Sequence, residues 1–416
     1  MLPLAGIRIL DLGQFWAGPN AGRAWADAGA EVIKLESCHR PDPLRLQARG
    51  IYPNHEPGVD PWNRSGMVNE RNRNKLSLTL DLQAPQGREL FLELVKISDV
   101  VSHNFSARVM PSLELGYESL GAVNPRLIMV SLMSQGLSGP EKDFVSFGPN
   151  LEQLGGIAYF SGYPDDPTSS VGFALPDPLG GAAASLALVA ALRHRDLIGK
   201  GFEIDISQRE AASLVVGREL VEQSLTQITP PRLGNHEPGC IPSEFYPTVG
   251  DDEWVAISVG DDYEWHQLCQ VMGRPELVSD ARFATVVARL RNREQLDLEI
   301  RQWTSSQRKD EAMQLLQERG VPAGAAFNPR ELFNNVHLRA RGFWETVHDA
   351  SAGVNDYYGR PYRLSAMPIE TRTSTPRLGE HNRPLLKELL GLSDLEIDGL
   401  EAEGIIGITP VTAKRE

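Results

Sequence analysis

The sequence predicts an α/β chain built on a parallel sheet, and three observations carry that expectation. Its first 36 residues read strand, turn, helix, strand, the opening of a βαβ unit. Strand-length apolar runs then alternate with helical segments up to about residue 226. Beyond that point the texture changes to a Pro/Gly-rich stretch followed by charged helices, which marks a second, smaller domain.

Taken in order, "IRILDL" (7–12) is a short Ile/Leu-rich strand, "GQFWAGPNAG" (13–22) a Gly/Pro break, "RAWADAGA" (23–30) a helix and "EVIKLE" (31–36) the second strand. Residues 38–70 are polar and proline-bearing and read as irregular. "KLSLTLDL" alternates as a strand should, "PQGRELFLELVKIS" has helical spacing, and "DVVSHNF" and "PRLIMVSL" are two further strands. A helix follows Asp177 to about Arg195, then the strand "KGFEIDIS" and a helix near 208–226. "TPPRLGNHEPGCIPSEFYP" reads as a linker ending in a mobile loop, "EWVAISVG" as a strand, and 262–319 as mainly helical. After 335 the chain is loop-rich, then strand-like, and it closes on a helical pair over 382–404. The simplest partition gives a large domain from 1–225, a small one from 245–330, and a return over 331–416.

Composition narrows the function. The formal charge of −14 opposes non-specific binding to nucleic acid or anionic membrane. No apolar run reaches the roughly 18 residues of a spanning helix, and the N-terminus lacks the pattern of a signal peptide. Cys38, Cys240 and Cys269 are too few and too scattered for a disulfide framework or a metal site, which fits a cytoplasmic protein. The nine histidines lack ligand spacing, so no metal is expected. Neither a P-loop nor a GxSxG elbow occurs. Glu36 closes the second strand as a dinucleotide site would require, but Gly13, Gly18 and Gly22 make GxxxxGxxxG rather than GxGxxG.

Chemistry-bearing residues gather at a few places. In "GFALPDPLGG" (172–181) Asp177 stands between two prolines before an uncharged helix. It suits an N-cap, with Pro178 at the first helical position. A helix N-terminus also favours the anion, and an ionised, partly dry carboxylate can be a covalent nucleophile. Asn72, Arg73, Asn74 and Lys75 border a strand end, as do His103, Asn104 and Phe105. Arg73 and Lys75 suit phosphate and Phe105 suits a purine; a solvated basic pair and a core aromatic account for them equally well.

Together these stretches resemble the class III CoA-transferase family, which includes formyl-CoA transferase. The likeness rests on "GIRILDLGQFWAGP", "GAEVIKLE", "NRNKLSLTLDL", "SHNF", "NPRLIMVSL", "PDPLGG", "RGVPAGAAFNPREL" and "LGEHNRPLLKELLGLSD", in family order over nearly the whole chain. It implies a Rossmann-like large domain interrupted by a small α+β domain, two ring-like chains interlocking as a dimer of like or paralogous subunits, and a CoA thioester as substrate with no resident cofactor. Asp177 matches the aspartate that attacks the donor thioester, passing through an acyl-aspartyl anhydride and an aspartyl-CoA thioester. The family's CoA contacts fall on Trp16, Ala17, Asn72 to Lys75, Asn104, Phe105, Ser106, and Met133, Ser134, Gln135 and Gly136. Several positions depart from the pattern: Trp16 replaces a glutamine, Met133 a lysine, Ser112 an arginine with Arg108 one turn earlier, and Ser37 an arginine with Arg40 nearby. The substrate lid aligns with His236, Glu237, Pro238, Gly239 and Cys240, a stiffer sequence than its glycine-rich counterpart, which disfavours oxalate. Racemases of the family carry a His-Asp pair where this chain has Phe147 and Gly148, which leaves no proton shuttle. The branch that activates benzylsuccinate-type acids from succinyl-CoA is the most similar in sequence texture, with other dicarboxylate transferases as the rival.

Overall fold

In the computed structural model, which describes residues 1–46 and 51–411, six short strands make one parallel sheet: β1 (Arg8–Asp11), β2 (Glu31–Glu36), β3 (Leu76–Thr79), β4 (Val100–His103), β5 (Ile128–Met133) and β6 (Glu203–Ser207). Their spatial order is β3-β2-β1-β4-β5-β6. The order reverses between β1 and β4, where Ile9 faces Val32 on one side and Val100 on the other. Ligands of open parallel sheets gather at the carboxyl ends of such strands.

Both faces of the sheet are covered, so its strands are apolar almost throughout. Ile9, Val32, Val100 and Ile128 pack beneath α1 (Ala17–Asp27) and a long helix with Ala184, Leu188 and Leu192. Leu10, Ile33, Leu78 and Val101 point the other way, onto Phe91, Leu94 and Val95 of α2 (Pro85–Lys96) and onto the C-terminal pair Asn382–Leu390 and Asp394–Ala402. That alternation is the pleat acting on a two-sided core.

Two features differ from the sequence expectation. The Gly/Pro segment after β1 is not a break, because α1 begins at Ala17. Pro19 lies in the first turn, where no N–H is required of it. Gly18 and Gly22 are small because neighbours demand it: a Cβ at Gly22 would lie 2.4 Å from Asp11 Oδ2 and 2.8 Å from Lys75 Nζ. The segment 38–70 is likewise not wholly irregular; short helical turns occupy Pro43–Leu46, Pro61–Arg64 and Gly66–Arg71.

The described chain forms two compact units. The larger comprises residues 1–159, 170–227 and 340 onward, and the smaller 160–169 with 228–339. The smaller unit therefore takes in a short excursion that the sequence did not mark. Asn235 donates to the Tyr163 hydroxyl at 2.9 Å, tying that excursion to the rest of the unit. Its three-stranded antiparallel sheet runs Ser243–Pro247, Trp254–Ser258, Ala323–Ala325, packed on Trp265, Leu268, Ile300 and Leu316. The strand-like region of the C-terminal part is an antiparallel hairpin, Trp344–Asp349 with Gly353–Tyr358. Among the described residues no helix is long and apolar enough to cross a membrane.

Buried charges brace the carboxyl end of the sheet. Glu36 takes both Nε (2.8 Å) and Nη2 (2.8 Å) of Arg45, and Lys34 bonds Asp42 (3.1 Å) and the Gly13 carbonyl (2.7 Å). Burial pushes the Glu36 carboxyl up, but Arg45 and Lys34 outweigh it and hold the group at about 2, against an ordinary 4.5. A depressed carboxylate contributes stability above its ordinary pKa and loses it as pH falls through the folded one. Urea unfolding should therefore show wild type losing about 3 kcal/mol more than Glu36→Gln between pH 4.5 and 2. The variant itself should be weaker at pH 7, because Arg45 is left buried without its anion.

Candidate active site

Asp177 sits in the first turn of α4 (Pro176–Ile198), one residue inside the helix rather than at its cap. Leu175 holds the cap position and makes no side-chain cap bond, so the expected N-cap role is not the one observed. Both flanking prolines fall where helix N–H groups have no partner to lose. The carboxyl of Asp177 is instead directed at Gly148, which opens α3 (Gly148–Leu154). A Cβ there would stand 2.5 Å from Asp177 Oδ2 and 2.2 Å from the Ala174 Cβ. Burial raises the Asp177 carboxyl to about 6, and the Arg71 charge pulls it partly back. Desolvation thus outweighs the helix terminus that the sequence reading relied on, although the group is still mainly ionised at neutral pH.

The walls around this carboxyl come from several loops. Phe147 meets Phe15 edge to face, 5.4 Å between centroids. Phe15 holds φ 59°, a left-handed conformation unusual for a bulky residue. Next to it, the Trp16 ring lies 4.6 Å beneath the Arg71 guanidinium. Ala17 is fully buried, and its carbonyl would be 3.0 Å from a Cβ at Gly181, one turn after Asp177. The chain leading into Asp177 is held by Glu152, itself fully buried. Its carboxylate accepts from the Ser170 hydroxyl and from the amides of Val171 (3.1 Å) and Leu175 (3.3 Å). That latch holds the chain where Ala174 turns at φ 48°. Sequence reasoning missed Arg71 and Glu152, although Arg71 directly precedes the NRNK stretch and Glu152 is a lone acid in an otherwise uncharged helix.

The basic stretch 72–75 does a different job from the one its composition suggests. Lys75 Nζ donates to Asp11 Oδ2 (2.8 Å), the Pro19 carbonyl (3.0 Å) and Asn72 Oδ1 (2.9 Å). An ammonium has three donors, so none is left for a phosphate. Arg73, 1% exposed, donates to the Tyr358 carbonyl (2.8 Å) and to Thr371 and stacks on Tyr357. Asn72 donates to the Val68 carbonyl, and Asn74 to Asp27.

Asn104 binds both backbone groups of Gln14 at 2.8 Å and so bridges the loops after β1 and β4 at the point where the strand order reverses. Phe105 stacks on His103 (5.8 Å) and lines a cleft of about 310 Å³ with Gln14, Ser37, Arg40, Gln83 and Ser112. Arg40 and Arg108 are exposed. The Ser106 carbonyl takes the Val109 amide. Ser131, between a donating His103 ring nitrogen (3.0 Å) and the Glu203 carboxylate (2.7 Å), fixes the imidazole beside Phe105. Met133 is buried. Ser134 donates to the Phe144 carbonyl, Gln135 to Ser146, and Gly136 turns at φ 91°. Residues 236–240 lie in the smaller unit: His236 faces the Ser243 carbonyl, the Cys240 amide closes a turn on Glu237, Pro238 is exposed, and Gly239 has φ 91°. Among the described residues no three His, Cys, Asp or Glu side chains form a metal-binding group.

Comparison with known proteins decides the family. The model of CoA-transferase family III matches residues 4–382. The chain belongs to that family, and it is a CoA-transferase. It is 37% identical over 404 residues to the succinyl-CoA–D-citramalate CoA-transferase of Chloroflexus aurantiacus, covering 97% of this chain and 98% of that one. It is 32% identical to the succinate–glutarate CoA-transferase of Agrobacterium fabrum, covering 93% and 96%. The crystal structure of a CAIB/BAIF family protein from Brucella suis superposes with a TM-score of 0.84 at 30% identity, over 93% of this chain and 99% of that one.

In this transferase, contacts within the protein account for each anchoring group just described. Removing the latch should therefore loosen the loop before Asp177 selectively. Glu152→Gln replaces an acceptor by a donor facing Ser170 and the Val171 amide, at a cost of about 1–3 kcal/mol. Hydrogen exchange at Val171 and Leu175 should quicken by more than about tenfold, while amides in the middle of α4 keep their protection.

Proposed function

We propose that this transferase moves CoA from succinyl-CoA to a dicarboxylic acid, with Asp177 as the nucleophile. The observation that carries the reading is a single partly dry carboxyl, raised to about 6, pressed against a glycine that leaves room for no side chain beside it. Relatives named for succinyl-CoA, D-citramalate and glutarate support the donor and acceptor class.

The chemistry follows from the carboxylate. Asp177 attacks the thioester carbonyl and expels CoA thiolate, leaving a mixed succinyl-aspartyl anhydride. The thiolate attacks the aspartyl carbonyl, releasing succinate and forming an aspartyl-CoA thioester. The acceptor carboxylate attacks that thioester and expels the thiolate again, which then takes the acceptor acyl group and frees Asp177. Every stage keeps the acyl group activated, so water must be kept out. A racemase would need an acid and a base here, and at position 148 a side chain of either kind would collide with Ala174 and Asp177. The nucleotide of CoA is assigned to the 310 Å³ cleft beside Phe105 and Arg40. Among acceptors, the small dicarboxylates named for the relatives come first, and the benzylsuccinate-type acids that the sequence texture suggested belong to the same class.

Assembly is part of the reading. The outer face of α4 leaves Leu186 and Leu197 each 74% exposed, and Leu214 and Leu225 after it are 81% and 80% exposed. Apolar faces of that kind mark subunit contacts. Two relatives are the α and β subunits of a succinyl-CoA–L-malate CoA-transferase, so a like or paralogous partner fits, interlocked as the family resemblance implies. Light scattering should find a dimer or larger species; a stable folded monomer would contradict it.

Incubation with succinyl-CoA, quenching and mass analysis of the peptide bearing Asp177 should detect an adduct. Asp177→Asn should give none and lose at least about 1000-fold in transfer, since an amide is a poor nucleophile. A protonated carboxyl cannot attack, so kcat/KM for the acyl-CoA should fall tenfold per pH unit below about 6. A panel of citramalate, glutarate, malate, succinate and benzylsuccinate ranks the acceptors.

A further inference from the structure

Among the described residues Arg71 is the one guanidinium whose charge acts on Asp177, and its donors are poorly used. The residue is 4% exposed. Nη1 donates to the Met67 carbonyl at 2.6 Å. Nε lies 3.2 Å from Glu70 Oε2 without hydrogen-bond alignment and has no other partner. No acceptor for Nη2 is found among the described residues. Glu70, the only acid paired with it among the described residues, is shared with Arg23 at 2.8 Å and with the Tyr358 hydroxyl, so its charge is divided.

Arg45 shows what a structural arginine looks like in the same protein. Its Nε and Nη2 sit on Glu36, and Nη1 faces the Trp62 carbonyl and Asn63. A buried cation with spare donors is costly. The fold nonetheless fixes this one firmly, at the end of the helix Gly66–Arg71 and face-on to Trp16 at 4.6 Å. Trp16 is the cap residue of α1, whose Ala17 carbonyl abuts α4 one turn after Asp177. The positive charge is felt at the Asp177 carboxyl. A planar fork held this way matches a carboxylate.

We propose that Arg71 binds the free carboxylate of the dicarboxylic acyl group while its other carbonyl reacts at Asp177, and so selects dicarboxylic over monocarboxylic substrates. This deepens the reading of the preceding subsection and rests on it. Arg71 acts on substrate through its spare Nη2 donor, Trp16 sets the plane of the guanidinium, and Glu70, against Nε, limits its swing. The same geometry serves donor and acceptor, since each passes through an anhydride on one carboxyl of Asp177.

The test compares succinyl-CoA with two neutral donors, butyryl-CoA and the methyl ester of succinyl-CoA, at pH 8, where Asp177 is ionised in every variant. Wild type should favour succinyl-CoA over both by at least about 100-fold in kcat/KM, since a site built to hydrogen-bond a polar group rejects an analogue lacking it by about 10⁴ or more. In Arg71→Gln that ratio should collapse to within about threefold of unity, and Arg71→Lys should restore part of it. The ratio cancels any shared effect on Asp177 or on folding. A wild type that uses the methyl ester as well as the acid, with no variant needed, overturns the proposal. So does a ratio unchanged in Arg71→Gln while both rates fall. Failure of the transferase reading looks different: wild type then forms no Asp177 adduct with any donor.

Discussion

A buried ion pair between Asp11 and Lys75 is the constraint on which the site depends. Asp11 closes β1 with Oδ2 on Lys75 (2.8 Å) and Oδ1 on the Gly13 amide (2.9 Å) and the Ser102 hydroxyl (3.2 Å). Lys75 reaches in from the start of β3 and takes the Pro19 carbonyl of α1 as well. One knot therefore ties together β1, β3, β4 and the first turn of α1. Both side chains are fully shielded, and burial pulls the ammonium down to about 8. Such a pair favours the fold only because every donor and lone pair around it is satisfied. The glycines at 13 and 22 exist to leave it room. Trp16 precedes the turn that the knot pins, and Arg71 precedes Asn72, which the knot also binds. Trp16 and Arg71, the groups proposed to meet substrate, are thus neighbours in sequence of the groups that fix the scaffold.

The carboxyls of Glu36 and Asp177 show how environment divides labour between like groups. Both are removed from water. Glu36 has two cations within reach and drops to about 2; Asp177 has one, shared with Glu70, and rises to about 6. A carboxylate held at 2 is stabilised as an anion and correspondingly inert. One near 6 keeps its electrons available while remaining ionised at neutral pH. Adding a second cation beside Asp177 would make the anion more abundant and a worse nucleophile. The single, partly compensated Arg71 is a compromise between those limits.

Much of the sheet was legible in the sequence, because buried parallel strands are nearly continuous apolar runs that need little context: EVIKLE forms β2 over its full length. The place of Asp177 at the mouth of an uncharged helix was legible too, although the cap position is held by Leu175. What failed was reading partners from composition. Lys75 and Arg73 resemble a phosphate site in the sequence, but their acceptors are Asp11, Pro19, Tyr358 and Thr371, all remote along the chain. Arg71 carries the same charge and lies two residues from Arg73, yet only folding reveals that both Nη groups of Arg73 are taken. The start of α1 was hidden for a related reason. Gly18, Pro19 and Gly22 look like helix breakers, and their smallness answers a packing demand from Asp11, Lys75 and Asn104.

The same division bears on how one fold serves different acids. Asp177, the nucleophile on the proposed mechanism, sits on α4, a helix locked to the sheet by Ala184 and Leu188 and anchored at its far end by Arg195 on Asp99 (2.9 Å). The group assigned to read the substrate sits on a short helix and a loop, Gly66–Arg71 and Trp16, outside that packed core. A change at Arg71 or Trp16 would alter which acyl group is held without moving Asp177, whereas a change within α4 would disturb both the sheet and the nucleophile. Relatives named for D-citramalate, glutarate and oxalate share about a third of this sequence. On the reading proposed here, such variety is accommodated in the reader, and the buried knot beneath it keeps the reader in register with the nucleophile.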